Sequence, residues 1–169
     1  MANPSTHERG PIARLIFRNK SMLDRTRSPR ALEVLSVEPL HEGFGSLKGH
    51  KYMLLVTYKK NGEGVPMPVW FGRDGDRLYV WTEENAYKAK RLRNNPNALV
   101  APCGPRGEPL GAPIAARGRI LEGDDERAQA KRVILSGWGI FRRLFERSSR
   151  RLTEVVYIEL VPAAGLPRE

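Results

Sequence analysis

The chain has 169 residues, of which 29 are lysine or arginine and 19 are aspartate or glutamate, so its net charge is +10. With 40% hydrophobic residues, one cysteine and no apolar run near the ~20 residues of a membrane span, it is expected to be a single-domain cytoplasmic protein without internal disulfides. The positive charge attracts anions in general, but no basic face interleaved with aromatic residues accompanies it, so we expect no nucleic-acid partner.

Residues 1–45 are predicted to form an irregular, partly helical extension. The run 12–18 has the spacing of a short amphipathic helix, and a basic stretch follows at 25–30. A basic amphipathic helix can associate weakly with a membrane surface, but this apolar face spans only about two turns. We therefore favour a solvated arm that packs on the following domain or on a second subunit, without stable membrane insertion.

Residues 46–169 are predicted to form one cofactor-binding domain that opens with a β-meander. Its first strands are runs rich in β-branched and aromatic residues, at 52–58, 65–71 and 77–81. Turn chemistry separates them, with Asn61-Gly62 after the first run and Asp74-Gly75-Asp76 after the second.

A short helix is predicted after the third strand, with Thr82 as its N-cap and its end before Pro96. Ala86, Ala89 and Leu92 form a narrow apolar stripe on this helix. The later elements are two strands, a helical pair and a last strand, at 98–103, 114–121, 124–136, 140–145 and 153–161. Six short strands that do not alternate with helices favour a mainly β, β-plus-α fold built on an antiparallel barrel.

The sequence carries none of the common catalytic or metal-binding patterns. His7, His41 and His50 lack metal-ligand spacing, and there is no Walker loop, dinucleotide fingerprint or nucleophile elbow. Cys103 ends an apolar strand, so we interpret it as a buried, inert residue rather than a nucleophile. We name no catalytic residue and no metal ligand, and we expect a bound cofactor to supply any reactivity.

Two segments break local rules, as functional sites often do. Pro66 and Pro68 lie within a predicted strand, although proline cannot donate to a sheet ladder. The strand therefore lies either at a protected sheet edge or beside a ligand such as a planar ring, and the residues alone leave both open. The second segment is 87–93, where four cations within residues 88–93 form either a solvated helix face or an anion site.

Several of these segments, in their order and spacing, resemble the pyridoxamine-phosphate-oxidase-like family. They are 49–58, 66–71, 78–82, 88–96 and 100–103. The motif Pro68-Val69-Trp70-Phe71 and the Lys-x-Lys-Arg-x-Arg-Asn-Asn-Pro block at 88–96 together resemble the subgroup that binds the deazaflavin coenzyme F420, rather than the flavin mononucleotide (FMN) oxidases. The resemblance covers residues 45–161.

The resemblance implies a split β-barrel of the FMN-binding kind, a homodimer, and a cofactor groove between the subunits. The residues that it implies for cofactor binding are Met67, Pro68, Val69, Trp70, Trp81, Thr82, Lys88, Lys90, Arg91 and Arg106. In this arrangement the tricyclic ring would lie along 67–70, with 81–82 beside it. The phosphate would meet Lys88, assisted by Lys90 or Arg91, and the anionic tail of the cofactor would meet Arg106.

The activity implied is a deazaflavin-dependent hydride transfer to or from an unidentified small organic substrate. Two alternatives stay open. One is an FMN-binding oxidase or reductase of the same fold, and the other is a non-catalytic protein that binds or carries coenzyme F420.

Overall fold

The computed structural model describes residues 27–137 and 155–164. The helices predicted at 12–18 and 140–145 lie outside these residues. The elements present are β1 Tyr52–Tyr58, β2 Gly64–Trp70, β3 Gly72–Asp74, β4 Arg77–Glu83, α1 Tyr87–Asn94, β5 Asn97–Cys103, β6 Ile114–Ile120, α2 Asp124–Ser136 and β7 Val155–Pro162. Two 3-10 helices, Pro29–Ser36 and Phe44–Leu47, precede β1. No helix in the described ranges is long and apolar enough to cross a membrane.

The seven strands form one antiparallel sheet in the order β2-β1-β5-β6-β7-β4-β3. β2 and β3 lie at opposite ends of this order, yet only Phe71 separates them in the chain. Two residues of chain span no more than about 7 Å, so the sheet must curl until its two edges meet at this corner. The predicted fold class, a β-plus-α split barrel, is confirmed.

β1 is buried on both of its faces, the one towards the barrel interior and the one on the outside of the barrel. Met53 and Leu55 face a central cluster with Phe44, whereas the alternating Leu54 and Val56 face outwards. The 3-10 helix Pro29–Ser36 packs its buried residues on that outward face. A strand buried on both faces has a continuous apolar sequence rather than an alternating one, as in 53–56.

The helix α1 packs against β1 and β6, and contributes Leu92 to the interior cluster. Gly118 on β6 provides the space, since a Cβ there would lie 3.0 Å from Leu92 Cδ2 and 2.9 Å from Leu160 Cδ2. Ala89 and Leu92 are both buried, which confirms two positions of the predicted apolar stripe.

The prediction of Thr82 as a helix cap is wrong. Thr82 and Glu83 extend β4, where they pair with Val156 and Val155 of β7, and α1 begins only at Tyr87. Pairing with β7 satisfies the backbone groups of Thr82 and Glu83, so both residues join the strand instead of starting the helix. Local propensity cannot anticipate a partner more than seventy residues away.

The other boundaries agree closely with the predicted ones. β1 and α2 have their predicted limits, and the predicted turns contain Gly62 at φ +85° and Gly75 at φ +57°. The three-residue β3 was not predicted, because it is too short to show alternation.

Gly72 of β3 allows α2 to approach the sheet at backbone distance. A Cβ at this position would lie 2.7 Å from Ile134 N and 2.8 Å from Ile134 Cα, and neither atom can move without shifting the helix. We predict that Gly72→Ala lowers the free energy of unfolding by about 1–3 kcal/mol, measured by urea denaturation.

The matched control is Gly45→Ala, because a Cβ at Gly45 meets nothing within 4 Å. We expect this substitution to change the stability by less than about 1 kcal/mol. Equal stabilities of the two variants would contradict the close approach of α2 at Gly72.

Candidate functional site

β2 lies at one end of the strand order, so it is an edge strand, which is the position in a sheet where prolines are tolerated. Arg27 Nη1 donates to the carbonyl oxygen of Pro66 at 2.8 Å, and this carbonyl points away from β1. N–H and C=O directions alternate along an antiparallel strand, so Pro68 faces the open edge too, whereas Met67 and Val69 bond to β1. Both prolines therefore stand where the ladder requires no donor, and the edge carries carbonyl acceptors without the matching N–H groups.

The outward face of β2 is covered by the chain itself. Pro66 and Pro68 are buried there, beside the 3-10 helix Pro29–Ser36. Gly107, at φ +86°, lies so close that a Cβ on it would be 3.7 Å from Pro68 Cβ and 3.4 Å from Ala31 Cβ. The opposite face of β2 turns towards the barrel core through Val69. Among the described residues only Arg27 contacts the edge of β2, so this edge is the part of the middle of β2 that they leave accessible to a ligand.

An aromatic pair marks the end of β2. Trp70 is 37% exposed, and its ring centroid lies 6.0 Å from that of Tyr52 with the planes tilted by 49°. The pair offers an apolar surface next to the edge carbonyls.

Of the basic residues of α1, Arg91 interacts with the turn between β1 and β2. Lys88 is only 8% exposed, Lys90 is exposed and Arg91 is half-buried. The pKa of the exposed Glu63 in that turn is lowered, first by its hydrogen bond and charge interaction with Lys59 and more weakly by the charge of Arg91. Four residues of strand, about 13 Å, separate this turn from Met67.

Tyr87 opens the basic segment 87–93 that the sequence singles out, but it was not predicted to bind the cofactor. It is 74% exposed, with Lys90 Nζ at 5.9 Å and Arg91 Cζ at 5.7 Å from its ring centroid. Its position at the start of a lysine- and arginine-rich helix was the available signal. Arg93, in contrast, turns to Glu84, with Nη2 3.9 Å from Oε1, in a surface pair.

The structure brings some of the predicted cofactor residues together and separates others. The exposed Arg106 precedes Gly107, so it lies near Pro68. Trp81 faces outwards and packs against the cluster under α2, whereas Thr82, the next residue, lies on the opposite, inward face of β4. β4 pairs with β3 and β7 and not with β2. The roles suggested for these residues remain predictions.

A second polar cluster lies between β4, β6, β7 and α2. Glu159 is buried, with Arg77 Nη1 at 2.7 Å and Arg119 Nε at 2.8 Å from its carboxylate, and Tyr79 Oη at 3.4 Å. Arg119 also binds Glu126 of α2 at 2.6 Å. These bonds raise the pKa of both arginines, chiefly through Glu159 for Arg77 and through Glu126 for Arg119. Positive and negative charges balance here, so we assign the cluster to attaching α2.

The cavities in the described ranges do not indicate another site. A cavity of about 80 Å³ lies within the Glu159 cluster. A shallow depression of about 950 Å³ lies along α2, whose side chains line it. Among the described residues, only α2 lines the larger one, whereas ligand sites are marked by polar groups that converge from several elements.

The comparisons with known proteins agree with this architecture. Residues 41–166 match the family model of pyridoxamine 5'-phosphate oxidase. No curated protein sequence matches the chain.

Among solved structures, a candidate 5-nitroimidazole antibiotic resistance protein from Bacteroides thetaiotaomicron has a TM-score of 0.57 at 16% identity, covering 70% of this chain and 76% of that one. A conserved hypothetical protein of Mycobacterium tuberculosis has a TM-score of 0.54 at 13% identity, covering 73% and 86%. The heme storage protein HutZ of Vibrio cholerae has a TM-score of 0.53 at 19% identity, covering 70% and 85%. At these identities the similarity shows the fold alone.

Cys103 is buried, as its position in the sequence predicts. Burial, with a smaller contribution from the charge of Glu108, raises the pKa of its thiol to about 12. The neutral thiol therefore persists up to high pH, and the thiolate is the reactive form. We predict that iodoacetamide at pH 8 alkylates the native protein at least about a hundredfold more slowly than the protein in urea. Labelling at similar rates in both states would contradict this assignment.

Proposed function

The chain belongs to the pyridoxamine 5'-phosphate oxidase family, and on that basis we propose that it is an oxidoreductase that binds a phosphorylated tricyclic cofactor along the open edge of β2. The deazaflavin coenzyme F420 is the first candidate, and FMN is the alternative. The observation that carries the proposal is the pair of carbonyls that Pro66 and Pro68 direct at the edge of β2, the first of which also accepts from Arg27, on a strand whose two faces are both covered.

The chemistry of this edge suits such a ring. Carbonyl oxygens only accept hydrogen bonds, and the pyrimidine side of flavins and deazaflavins carries an imide N–H that can donate to them. Trp70 offers an apolar surface at the same end of the strand. Arg91 interacts with the turn about 13 Å along β2, and with Lys88 and Lys90 of the same helix it would supply the charge that a phosphate on an extended sugar-alcohol chain requires.

The charge of the protein supports the deazaflavin over FMN. Coenzyme F420 carries a tail of glutamate carboxylates that FMN lacks, and the net charge of +10 attracts it. Arg106, exposed near Pro68, is the residue that we assign to this tail.

When bound, the cofactor would supply the hydride chemistry, and the residues of the chain would hold the ring and keep water from it. The small organic substrate would enter beside the ring. A homodimer, with the second subunit completing the groove, is part of this proposal because the resemblance implies it. A carrier protein would bind the same cofactor without turnover.

The cofactor is tested by titrating the purified protein with oxidised coenzyme F420, FMN and heme, following fluorescence quenching or absorbance. We expect coenzyme F420 to bind more tightly than FMN, with an affinity that falls more steeply as salt rises, because more charges are screened. Heme is included because a structural relative stores it. Equal or tighter binding of FMN would reverse the order of the candidates, and binding of heme alone would refute the proposal.

The phosphate site is tested with Lys88→Met, which keeps the apolar stem of this buried side chain and removes its charge. Loss of a charge-assisted hydrogen bond of about 1.5–3 kcal/mol should raise the Kd for the cofactor at least about tenfold. Thermal denaturation verifies that the variant is folded.

Arg93→Gln is the matched control on the same helix, because Arg93 already pairs with Glu84. Its Kd should stay within about threefold of the wild-type value. If both variants weaken binding equally, the helix acts only as diffuse positive charge and the assignment of Lys88 fails.

A further inference from the structure

Arg27 reaches the edge of β2 from outside the family-matching region 41–166. Its Nη1 lies 2.8 Å from the carbonyl oxygen of Pro66 and 3.9 Å from Sδ of Met67. The sequence places it in the N-terminal extension, to which the resemblance assigns no role. The fold therefore brings a guanidinium to the strand that is proposed to hold the cofactor ring.

The backbone next to Arg27 is firmly held. Ser28 is 7% exposed, its N–H donates to the carbonyl of Arg106 at 2.7 Å, and its Oγ caps the following 3-10 helix by accepting from Arg30 N at 3.3 Å. Ala31, fully buried, packs under Gly107. This attachment fixes where the side chain of Arg27 starts, so its position at the edge results from the fold of the arm.

Among the residues that the structure describes, no carboxylate balances the charge of Arg27. Within residues 27–137 and 155–164, its partners are a carbonyl and a thioether, and no carboxylate of those ranges forms an ion pair with it. Arg77 and Arg119, in contrast, both pair with Glu159. Both contacts that Arg27 makes with the described residues use Nη1, and none of those residues accepts from its Nε or Nη2, which are further donors for a ligand.

We propose that Arg27 is a ligand-binding residue of the cofactor site and that its positive charge favours the reduced, anionic form of the ring. This inference rests on the proposed function. Adding a hydride to the oxidised ring adds two electrons and one proton, so the ring system gains one negative charge unless a second proton follows. The negative charge spreads over the pyrimidine carbonyls, and a guanidinium can bind such an oxygen by a charge-assisted hydrogen bond.

A purely structural Arg27 would act differently. A guanidinium that only covers the edge of β2 would affect protein stability, and would change the affinities for oxidised and reduced cofactor by the same factor. A charge beside the ring must change their ratio, because the two forms differ in charge. The ratio appears directly as the midpoint potential of the bound cofactor.

The test compares Arg27→Gln, which removes the charge, with Arg27→Lys, which retains it. Arg30→Gln is the control, since Arg30 lies three residues along the chain and pairs with the exposed Glu33. For each full-length variant, the Kd of oxidised coenzyme F420, or of FMN if the titration selects it, and the midpoint potential against a redox dye are measured. Thermal denaturation is recorded in parallel.

We expect Arg27→Gln to lower the preference for the reduced form about tenfold, which is about 30 mV in a two-electron potential. Arg27→Lys should retain most of the preference, and Arg30→Gln should match the wild type. An unchanged potential in Arg27→Gln, or tighter binding of both forms, would overturn the inference while leaving the proposed function intact. Failure of the wild-type protein to bind either cofactor would overturn both.

Discussion

The single residue between β2 and β3 constrains the rest of the molecule. Phe71 joins the two ends of the strand order, so the sheet must curl, and its side chain packs partly into the interior that this curling creates. Leu92 of α1 fits into the same interior because Gly118 has no side chain. Gly72, directly after Phe71, leaves room for the backbone of α2. Small residues at these close approaches let one layer of strands be packed on both sides.

The closure also decides where a ligand can reach β2. The interior is filled by the core, and the outer face is covered by the 3-10 helix Pro29–Ser36 and by Gly107. What remains is an edge on which Pro66 and Pro68 present carbonyls. Residues 27–36 are therefore part of the proposed site, since their packing covers one face of β2 and places Arg27 at its edge.

The net charge of +10 is not equally available to a ligand. Arg77 and Arg119 share the buried Glu159, and Arg119 also binds Glu126, so these cations attach α2 to the barrel. Arg93 pairs with Glu84 at the surface. Arg27 has no such carboxylate partner within the described ranges. The position of each basic residue, and not the total number of them, therefore distinguishes a candidate ligand-binding residue from one that holds the fold together.

The sequence by itself determined most strands, the limits of β1 and α2, and the barrel class, because turn residues and apolar runs are local features. The motifs at 66–71 and 88–96 indicated the family that the match over 41–166 shows. Strand order, the edge position of β2 and the opposite orientations of Trp81 and Thr82 were decided by pairing between distant segments. Arg27 meets Pro66 across 39 residues, and local periodicity cannot encode such a contact, because it exists only once the sheet has closed and the arm has packed on it.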